Sequence, residues 1–326
     1  MIHTTPVNPN ATPEATALLQ YLHDIAGTNI LAGQHTQTNP MEEVAYIETV
    51  TGKSPKLCGF ELLAYSPNIR MEGASEACRV EVEENRNTMD TALRWANETG
   101  GIVTLTFHWF SPLGGHDKSF YTEHTDFDAE RVLHDGTPER AAFFHDLDAI
   151  AVQLQRFQDA KIPVLWRPFH EAEGTWFWWG AKGAEVAKQL YLLMYEYYVH
   201  HYHLDHLLWV WNSRLPEGYP GDNFVDVVSV DVYLPQLYPL PHYEATDYAA
   251  DYQALIAASS ANKVAALAEI GFLPDAALLA KSKIPWAYFM TWSKEFCIGE
   301  TYNTKQRLKD VYNHERVLSQ KPVLTK

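Results

Sequence analysis

The order of apolar and helical segments is the feature of this sequence that most restricts its fold. Short apolar runs rich in β-branched and aromatic residues alternate with longer segments whose apolar residues recur at helical spacing. This alternation is typical of successive strand–helix units, which build parallel sheets. Eight such units predict an α/β fold closed into a (β/α)8 TIM barrel. The candidate strands are residues 29–32, 56–60, 102–109, 164–170, 207–211, 225–230, 264–269 and 286–290.

Two connections depart from the regular alternation. Residues 212–224 contain several Pro and Gly, so a loop is expected where a barrel ordinarily has a helix. Residues 110–137 form a long polar connection rich in Gly, His and Asp, and long insertions in compact domains are often binding loops. This second connection follows the third candidate strand, so it is expected at the end of the barrel where active sites are built.

Length and charge limit the class of protein. A chain of 326 residues with 46% hydrophobic composition can bury a large core, and a barrel of this size is normally one domain, so one catalytic domain spanning residues 1–326 is expected. The 41 acidic and 25 basic side chains give a formal charge of -16, which repels nucleic acid and anionic membranes. No apolar run reaches the roughly 18 residues of a spanning helix. The expected partner is therefore a neutral molecule, and a monomer is expected.

The sequence predicts neither a metal nor another cofactor. Histidines crowd residues 200–206, but they lack a matching acidic or Cys partner and are expected at a solvated helix end. Gly114 and Gly115 lie outside any Walker spacing, and no GxGxxG motif follows a strand.

The cysteines and the first residues bear on the cellular compartment. Cys58, Cys78 and Cys297 are widely spaced and form no CxxC pair, so each is expected to be a free buried thiol, although one bridge stays possible. The first eleven residues lack a basic segment followed by an apolar stretch, and no signal peptide is predicted within this chain. A cytoplasmic location and a removed leader both stay open.

Two glutamates, Glu171 and Glu269, each end a short apolar run. A carboxylate at the C-terminal tip of a parallel strand lies where barrels build active sites, and two facing carboxylates can cleave a glycosidic bond. Because side chains alternate along a strand, Arg167 is expected to share the side of Glu171. The same alternation groups His108 with Thr106, Trp211 with Trp209, Tyr233 with Asp231, Trp292 with Met290, and Glu269 with Leu267.

An aromatic-rich string surrounds the first glutamate: Trp166-Arg-Pro-Phe-His-Glu171-Ala-Glu-Gly-Thr-Trp176-Phe-Trp-Trp-Gly180. Further segments are Ala32-Gly-Gln-His35, Phe107-His-Trp109, Phe120-Tyr-Thr, Trp209-Val-Trp-Asn212, Asp231-Val-Tyr233, Ala266-Leu-Ala-Glu269 and Met290-Thr-Trp292. Together they resemble glycoside hydrolase family 26, in particular its bacterial and fungal β-mannanases, in the expected order over nearly the whole chain.

The resemblance implies a retaining endo-β-1,4-mannanase acting on mannan, galactomannan or glucomannan, with Glu171 as general acid/base and Glu269 as nucleophile. The expected ligand is β-mannan polysaccharide or a manno-oligosaccharide. Related enzymes are mostly exported, so an extracellular or periplasmic location is expected. The substrate-binding candidates are His108, Arg167, His170, Trp176, Trp211, Asp231, Tyr233 and Trp292, whereas Trp178 and Trp179 are expected to be structural.

Within these candidates, Trp176, Trp211 and Trp292 are expected to stack on sugar rings, because flat apolar rings match the C–H face of a sugar. Arg167 and Tyr233 are expected to keep Glu269 ionised by hydrogen bonding.

Two positions depart from the family pattern and concern fine specificity. Ile270 follows the second glutamate where Asn is common, and Gly218 stands where an aromatic often precedes Tyr-Pro-Gly-Asp. A β-1,3-1,4-glucanase, a β-1,3-xylanase, a mannobiose-releasing exo-enzyme and a non-catalytic glycan-binding protein stay open as alternatives.

Overall fold

The computed structural model of the protein describes residues 4–37, 39–233 and 246–324. The strands are β1 Ile30–His35, β2 Ser54–Pro55, β3 Leu57–Glu61, β4 Ile102–Thr106, β5 Val164–Arg167, β6 Leu207–Asn212, β7 Val227–Val232, β8 Val264–Ile270, β9 Trp286–Thr291 and β10 Val317–Gln320. The α-helices are α1 Pro13–Ile25, α2 Glu42–Thr51, α3 Glu76–Glu84, α4 Thr88–Thr99, α5 Pro138–Asp159, α6 Ala184–Glu196, α7 Ala249–Ala258, α8 Ala276–Ser282 and α9 Lys305–Tyr312.

The strands close into a barrel. β1 pairs in parallel with β3, the strands from β3 to β9 follow one another as parallel neighbours, and β9 pairs back with β1. This closed barrel of eight strands with surrounding helices is the predicted (β/α)8 TIM barrel, and that prediction is confirmed. The short strands β2 and β10 pair with each other and were not predicted.

Each predicted strand overlaps one barrel strand, but two predictions run too far. The third, residues 102–109, ends at Thr106, and the fourth, residues 164–170, ends at Arg167. Pro168 comes next and has no backbone N–H to donate to a ladder, which explains the early end of β5. The residues that follow these two strand ends therefore lie outside the sheet, at the mouth of the barrel.

The buried apolar residues form two clusters, one inside the barrel and one outside it. The inner cluster contains Leu31, Leu57, Leu165 and Leu208, and the apolar face of α1 joins it. The outer cluster fills the space between the strands and the surrounding helices. α5 is representative, because Thr137 caps its first turn, Pro138 starts it, and Leu147, Ile150, Leu154 and Phe157 are buried on one face.

The two irregular connections are loops, as predicted. Between β4 and α5 the chain forms only two short 3-10 segments, and between β6 and β7 only one, Pro216–Gly218. The first loop pairs with the chain that follows Glu171: Tyr121 forms a β-bridge with Phe177, and the Trp178 N–H donates to the Phe120 carbonyl over 3.1 Å. The long insertion therefore supports the segment that carries Glu171 and Trp176.

The three cysteines are free and buried, as expected from their spacing. Among the described residues, no helix is both long and apolar enough to cross a membrane.

Candidate active site

Three carboxylates meet at the C-terminal end of the barrel strands. One oxygen each from Glu171, Asp231 and Glu269 lies within 4.8 Å of the other two. Carboxylates that form a retaining glycosidase pair lie about 5–5.5 Å apart, whereas an inverting pair needs about 6.5–9.5 Å to admit a water. The spacing of Glu171 and Glu269 is therefore short, as a retaining pair requires.

Arg167 supplies the positive charge at this cluster. Its Nη1 donates to Asp231 Oδ2 over 2.8 Å, and its Nη2 donates to Thr106 Oγ1 over 3.1 Å and to Glu269 Oε1. The side chain is 1% exposed. Burial disfavours its charge, but Asp231 and Glu269 outweigh that effect and raise the pKa of Arg167 above the ordinary value. The guanidinium thus bridges Asp231 and Glu269.

The second oxygen of Glu269 accepts from the Tyr233 hydroxyl over 2.7 Å. Burial and the negative charge of Glu269 hold the pKa of Tyr233 well above its usual range, so the phenol keeps its proton and donates it. Each oxygen of Glu269 therefore accepts a hydrogen bond, one from a guanidinium and one from a phenol.

Glu171 has a different environment. Glu171 is half-buried, and desolvation together with the nearby Glu269 raises the pKa of Glu171 to about 7. Trp176 Nε1 donates to Glu171 Oε2 over 2.7 Å and opposes the increase. The two neighbouring carboxyl groups thus have different environments, as an acid and a nucleophile require, and the raised pKa of Glu171 favours its acid form.

The backbone at Glu171 is unusual as well. Its φ is 51°, in the left-handed region that residues other than Gly rarely occupy. Its N–H donates to Asn212 Oδ1 over 2.6 Å. Asn212, at the end of β6, was not predicted as a site residue, although it ends a quoted motif and is the last residue of a barrel strand.

Glu269 reaches the site through irregular strand pairing. Simple alternation groups it with Leu267, but Leu267 belongs to the outer cluster and Ala266 to the inner one. The register of β8 shifts against β7 between Val230 and Asp231, and against β9 between Leu267 and Ile270. Bulges of this kind re-aim a side chain, and here the shift turns Glu269 inward.

The expectation that Trp211 forms a wall of the cleft is wrong. Trp211 is 1% exposed and packs edge-on against Tyr191 of α6, with ring centroids 5.1 Å apart. Along β6, Leu208 and Val210 point inward, so Asn212 points inward and Trp211 outward. The predicted alternation was one residue out of phase on this strand.

A buried Glu–His–His chain lies beside the carboxylates. Glu61 Oε2 is 2.7 Å from His108 Nδ1, and His108 Nε2 is 3.1 Å from His170 Nε2. Burial alone would lower the pKa of His108, but Glu61 outweighs it and the pKa is raised; burial and the neighbouring His108 lower the pKa of His170. Glu61 was not predicted because the second strand was ended one residue too early, at Phe60.

Two of the three aromatic candidates are accessible. Trp176 is 48% exposed, and Trp292 is half-buried and stacked on His35 with ring centroids 3.8 Å apart. Trp292 and His108 line a cavity of about 340 Å³. Trp178 and Trp179 are fully buried, in agreement with the structural role expected for them, and the Trp179 indole donates to the His170 carbonyl over 2.9 Å.

The sequence matches the family model of glycosyl hydrolase family 26 over residues 7–322. The chain belongs to glycosyl hydrolase family 26. The family 26 chain is 40% identical to a mannan endo-1,4-β-mannosidase of Thermothelomyces thermophilus, over 96% of this chain and 62% of the relative. It is 29% identical to mannan endo-1,4-β-mannosidase A of Piromyces sp, over 98% of this chain and 50% of the relative. The chain thus spans between half and two thirds of these relatives' lengths.

Solved structures agree with this family 26 assignment. The Podospora anserina GH26-CBM35 β-(1,4)-mannanase superposes with a TM-score of 0.85 at 38% identity, over 98% of this chain and 68% of that one. A β-mannanase from a symbiotic protist of the termite Reticulitermes speratus, complexed with gluco-manno-oligosaccharide, gives a TM-score of 0.83 at 29% identity, over 98% of both chains.

Proposed function

We propose that this family 26 protein is an endo-β-1,4-mannanase that cleaves internal bonds of mannan, galactomannan or glucomannan with retention of configuration. The proposal rests chiefly on the close pair of unlike carboxylates, Glu171 and Glu269, with oxygens within 4.8 Å of each other. Mannan as the substrate is supported by the names of the relatives, which are mannan endo-1,4-β-mannosidases. No cofactor takes part in the proposed reaction.

In the first step Glu269 attacks the anomeric carbon. A bond forms between a carboxylate oxygen and that carbon, the glycosidic bond breaks, and protonated Glu171 gives its proton to the departing oxygen. The products are a glycosyl ester on Glu269 and a shortened chain with a free hydroxyl. Glu171 suits this step because its pKa, raised to about 7, leaves about half of it protonated at neutral pH and most of it protonated in mildly acidic solution.

In the second step a water replaces the departed sugar. Once Glu269 is esterified, its negative charge no longer raises the pKa of Glu171, so Glu171 is ionised more readily and takes a proton from the water. The water oxygen bonds to the anomeric carbon and the ester bond to Glu269 breaks. Two inversions at one carbon give net retention.

Arg167 and Tyr233 keep Glu269 ionised before attack and then stabilise it as the leaving carboxylate. Asp231 offsets the charge of Arg167, which lies buried between the two acids. An arginine without these partners would be costly at this depth.

Sugar recognition is assigned to the accessible side chains at the mouth. Trp176, which contacts Glu171, and Trp292, which lines the cavity beside His108, offer flat faces for stacking. His108, which lines that cavity, provides a polar atom for sugar hydroxyls, whereas the predicted binding residues His170 and Asp231 are buried beneath the mouth, with 1% of His170 and 2% of the Asp231 side chain exposed. Mannan is too large to enter a cell intact, so the proposal includes action outside the cytoplasm.

The test is release of reducing ends from galactomannan, glucomannan, mixed-linkage glucan and β-1,3-xylan. Wild type is compared with Glu269→Ala and with Glu98→Ala, a matched change of an exposed glutamate on α4. The proposal predicts release from the mannans by wild type and Glu98→Ala and none by Glu269→Ala. Release only from glucan or xylan would overturn the substrate assignment, and tight glycan binding without release would favour a binding protein.

We propose that the chain acts as a single catalytic domain and as a monomer. Light scattering at assay concentrations should then give the mass of one chain, 37.1 kDa. A mass of twice this value in the active sample would contradict the monomer.

A further inference from the structure

Asn212 lies at the end of β6, directly beneath Glu171, and is 2% exposed. It contacts the first residues of the Glu171 segment twice: its Oδ1 accepts from the Glu171 N–H over 2.6 Å, and its backbone carbonyl accepts from the Ala172 N–H over 3.1 Å. Two successive N–H groups of the segment are therefore held by one residue.

The backbone of Glu171 needs such support. Its φ of 51° is unfavourable for a residue with a Cβ, and conformations of this kind persist only where their surroundings hold them. The segment that begins there turns back so that the Trp176 indole reaches Glu171 Oε2 over 2.7 Å. The direction of the Glu171 carboxyl thus depends on where its backbone is anchored.

The amide nitrogen of Asn212 contacts residues on the side of Glu269. Its Nδ2 donates to Asp231 Oδ1 over 2.8 Å and to Ser229 Oγ over 3.0 Å. Asp231 in turn accepts from Arg167, which donates to Glu269. One buried amide therefore connects the backbone of Glu171 to the groups that hold Glu269.

The arrangement of hydrogen-bonding atoms in an amide matches the neighbours of position 212. An amide presents one acceptor and two donors on one rigid plane. The acceptor meets the N–H of Glu171, and the donor meets the Asp231 carboxylate. A carboxylate at 212 would keep the acceptor but face Asp231 with a like charge, and an apolar residue would leave the buried Glu171 N–H without its acceptor.

We propose that Asn212 is a positioning residue that sets the placement of the acid/base Glu171 relative to the nucleophile Glu269. This inference rests on the proposed glycosidase function. Asn212 does not touch the reacting atoms. Its direct contacts are with two N–H groups of the Glu171 segment, whereas it reaches Glu269 through Asp231 and Arg167. The step that suffers is therefore proton transfer to the departing sugar oxygen.

Comparing kcat/KM between substrates with different leaving groups isolates that step. A sugar leaving group needs a proton from Glu171, whereas dinitrophenolate is stable enough to leave without one. For Asn212→Ala, kcat/KM on mannan should fall about 10²-fold, the effect of a reacting group misplaced by about 1 Å. On dinitrophenyl β-mannobioside only the lost contact with Asp231 counts, so kcat/KM should fall at least about tenfold less than on mannan, and azide, which needs no base, should raise kcat.

Two other variants serve as comparisons for Asn212→Ala. Glu171→Ala removes the acid/base itself and should show the same pattern more strongly. Ser229→Ala removes the other acceptor of the Asn212 amide without touching Glu171, and it should keep wild-type kcat/KM on both substrates within about threefold. Thermal unfolding of each variant reports whether it is folded at the assay temperature.

Equal loss by Asn212→Ala on both substrates would overturn the inference, because a general disturbance of the barrel would act on both. If Asn212→Ala does not fold, Asn212→Asp provides the test instead. This variant keeps the acceptor for the Glu171 N–H but places a like charge beside Asp231. Its losses of kcat/KM on the two substrates should therefore be equal. A loss confined to mannan in Asn212→Asp would contradict the inference. Inactivity of wild type on both substrates would instead overturn the proposed function.

Discussion

At the scale of single residues, Glu171 and Glu269 are chemically identical side chains in different surroundings. Glu269 has a hydrogen-bond donor on each oxygen, from Arg167 and from Tyr233. Glu171 accepts from the Trp176 indole, and it faces the negative charge of Glu269. These surroundings suit Glu269 to its proposed role as nucleophile and Glu171 to its proposed role as acid.

The pH dependence of the reaction follows from Glu171. Its raised pKa of about 7 means that its acid form is present below that pH and is lost above it, so kcat/KM on mannan should fall as pH rises through about 7. Trp176→Phe removes a hydrogen bond that lowers this pKa, so the falling limb should move to higher pH, by less than about one unit because Trp176 is half exposed. Trp292→Phe is the control and should leave the limb in place. A downward shift in Trp176→Phe would contradict the assigned role of the indole.

Removing Arg167 should affect stability as well as activity. Arg167→Met leaves Asp231 and Glu269 buried without their common cation, and breaking a buried ion pair from one side costs about 3–5 kcal/mol. Urea unfolding should show that loss, whereas Arg94→Met, at an exposed arginine on α4, should change the free energy of unfolding by less than about 0.5 kcal/mol. An unchanged unfolding midpoint in Arg167→Met would refute the buried-charge arrangement.

At the scale of elements, the sequence predicts the barrel strands well because apolar β-rich runs and helical stripes have clear periods. Strand alternation also predicts the inward direction of Thr106, Asp231 and Tyr233 correctly. It fails on β6, where both phases of the pattern are apolar, so nothing in Leu207–Asn212 indicates which side faces the barrel. It cannot foresee the register shifts of β8 either, because they arise from pairing with two neighbouring strands.

The loop that carries Trp176 depends on a close backbone approach at Gly180. A Cβ added there would lie 2.0 Å from the Gly174 carbonyl oxygen, so Gly180→Ala must open the turn between Glu171 and Gly180. Overpacking of this kind costs about 1–3 kcal/mol, and kcat/KM on mannan should fall about tenfold or more as Trp176 shifts.

Gly136→Ala is the matched control for that loop. Gly136 has a φ of 79° with open space around it, so alanine should cost about 1–2 kcal/mol of backbone strain and leave kcat/KM unchanged. If Gly180→Ala keeps wild-type kcat/KM, the loop geometry is not needed to hold Trp176.

At the scale of the whole molecule, the formal charge of -16 is compatible with the proposed ligand, an uncharged polysaccharide. Electrostatic steering acts on charged ligands and weakens with salt, whereas a neutral polysaccharide is not steered. We therefore expect kcat/KM on galactomannan to change less than about twofold between about 0.05 and 0.5 M salt. Carboxymethylated mannan is the comparison, and its cleavage should rise with salt as repulsion is screened. A strong salt dependence on the neutral polymer would contradict this view of the substrate.

The central claim is that Glu171 and Glu269 act as a retaining pair on β-1,4-mannosidic bonds. Its most direct test is proton NMR of the first products from mannopentaose, recorded before the anomers of the released sugars equilibrate. The account predicts that the newly formed reducing end appears first as the β anomer and that Glu269→Ala yields no product. Initial appearance of the α anomer would contradict the double displacement and require a water, not Glu269, as the attacking group.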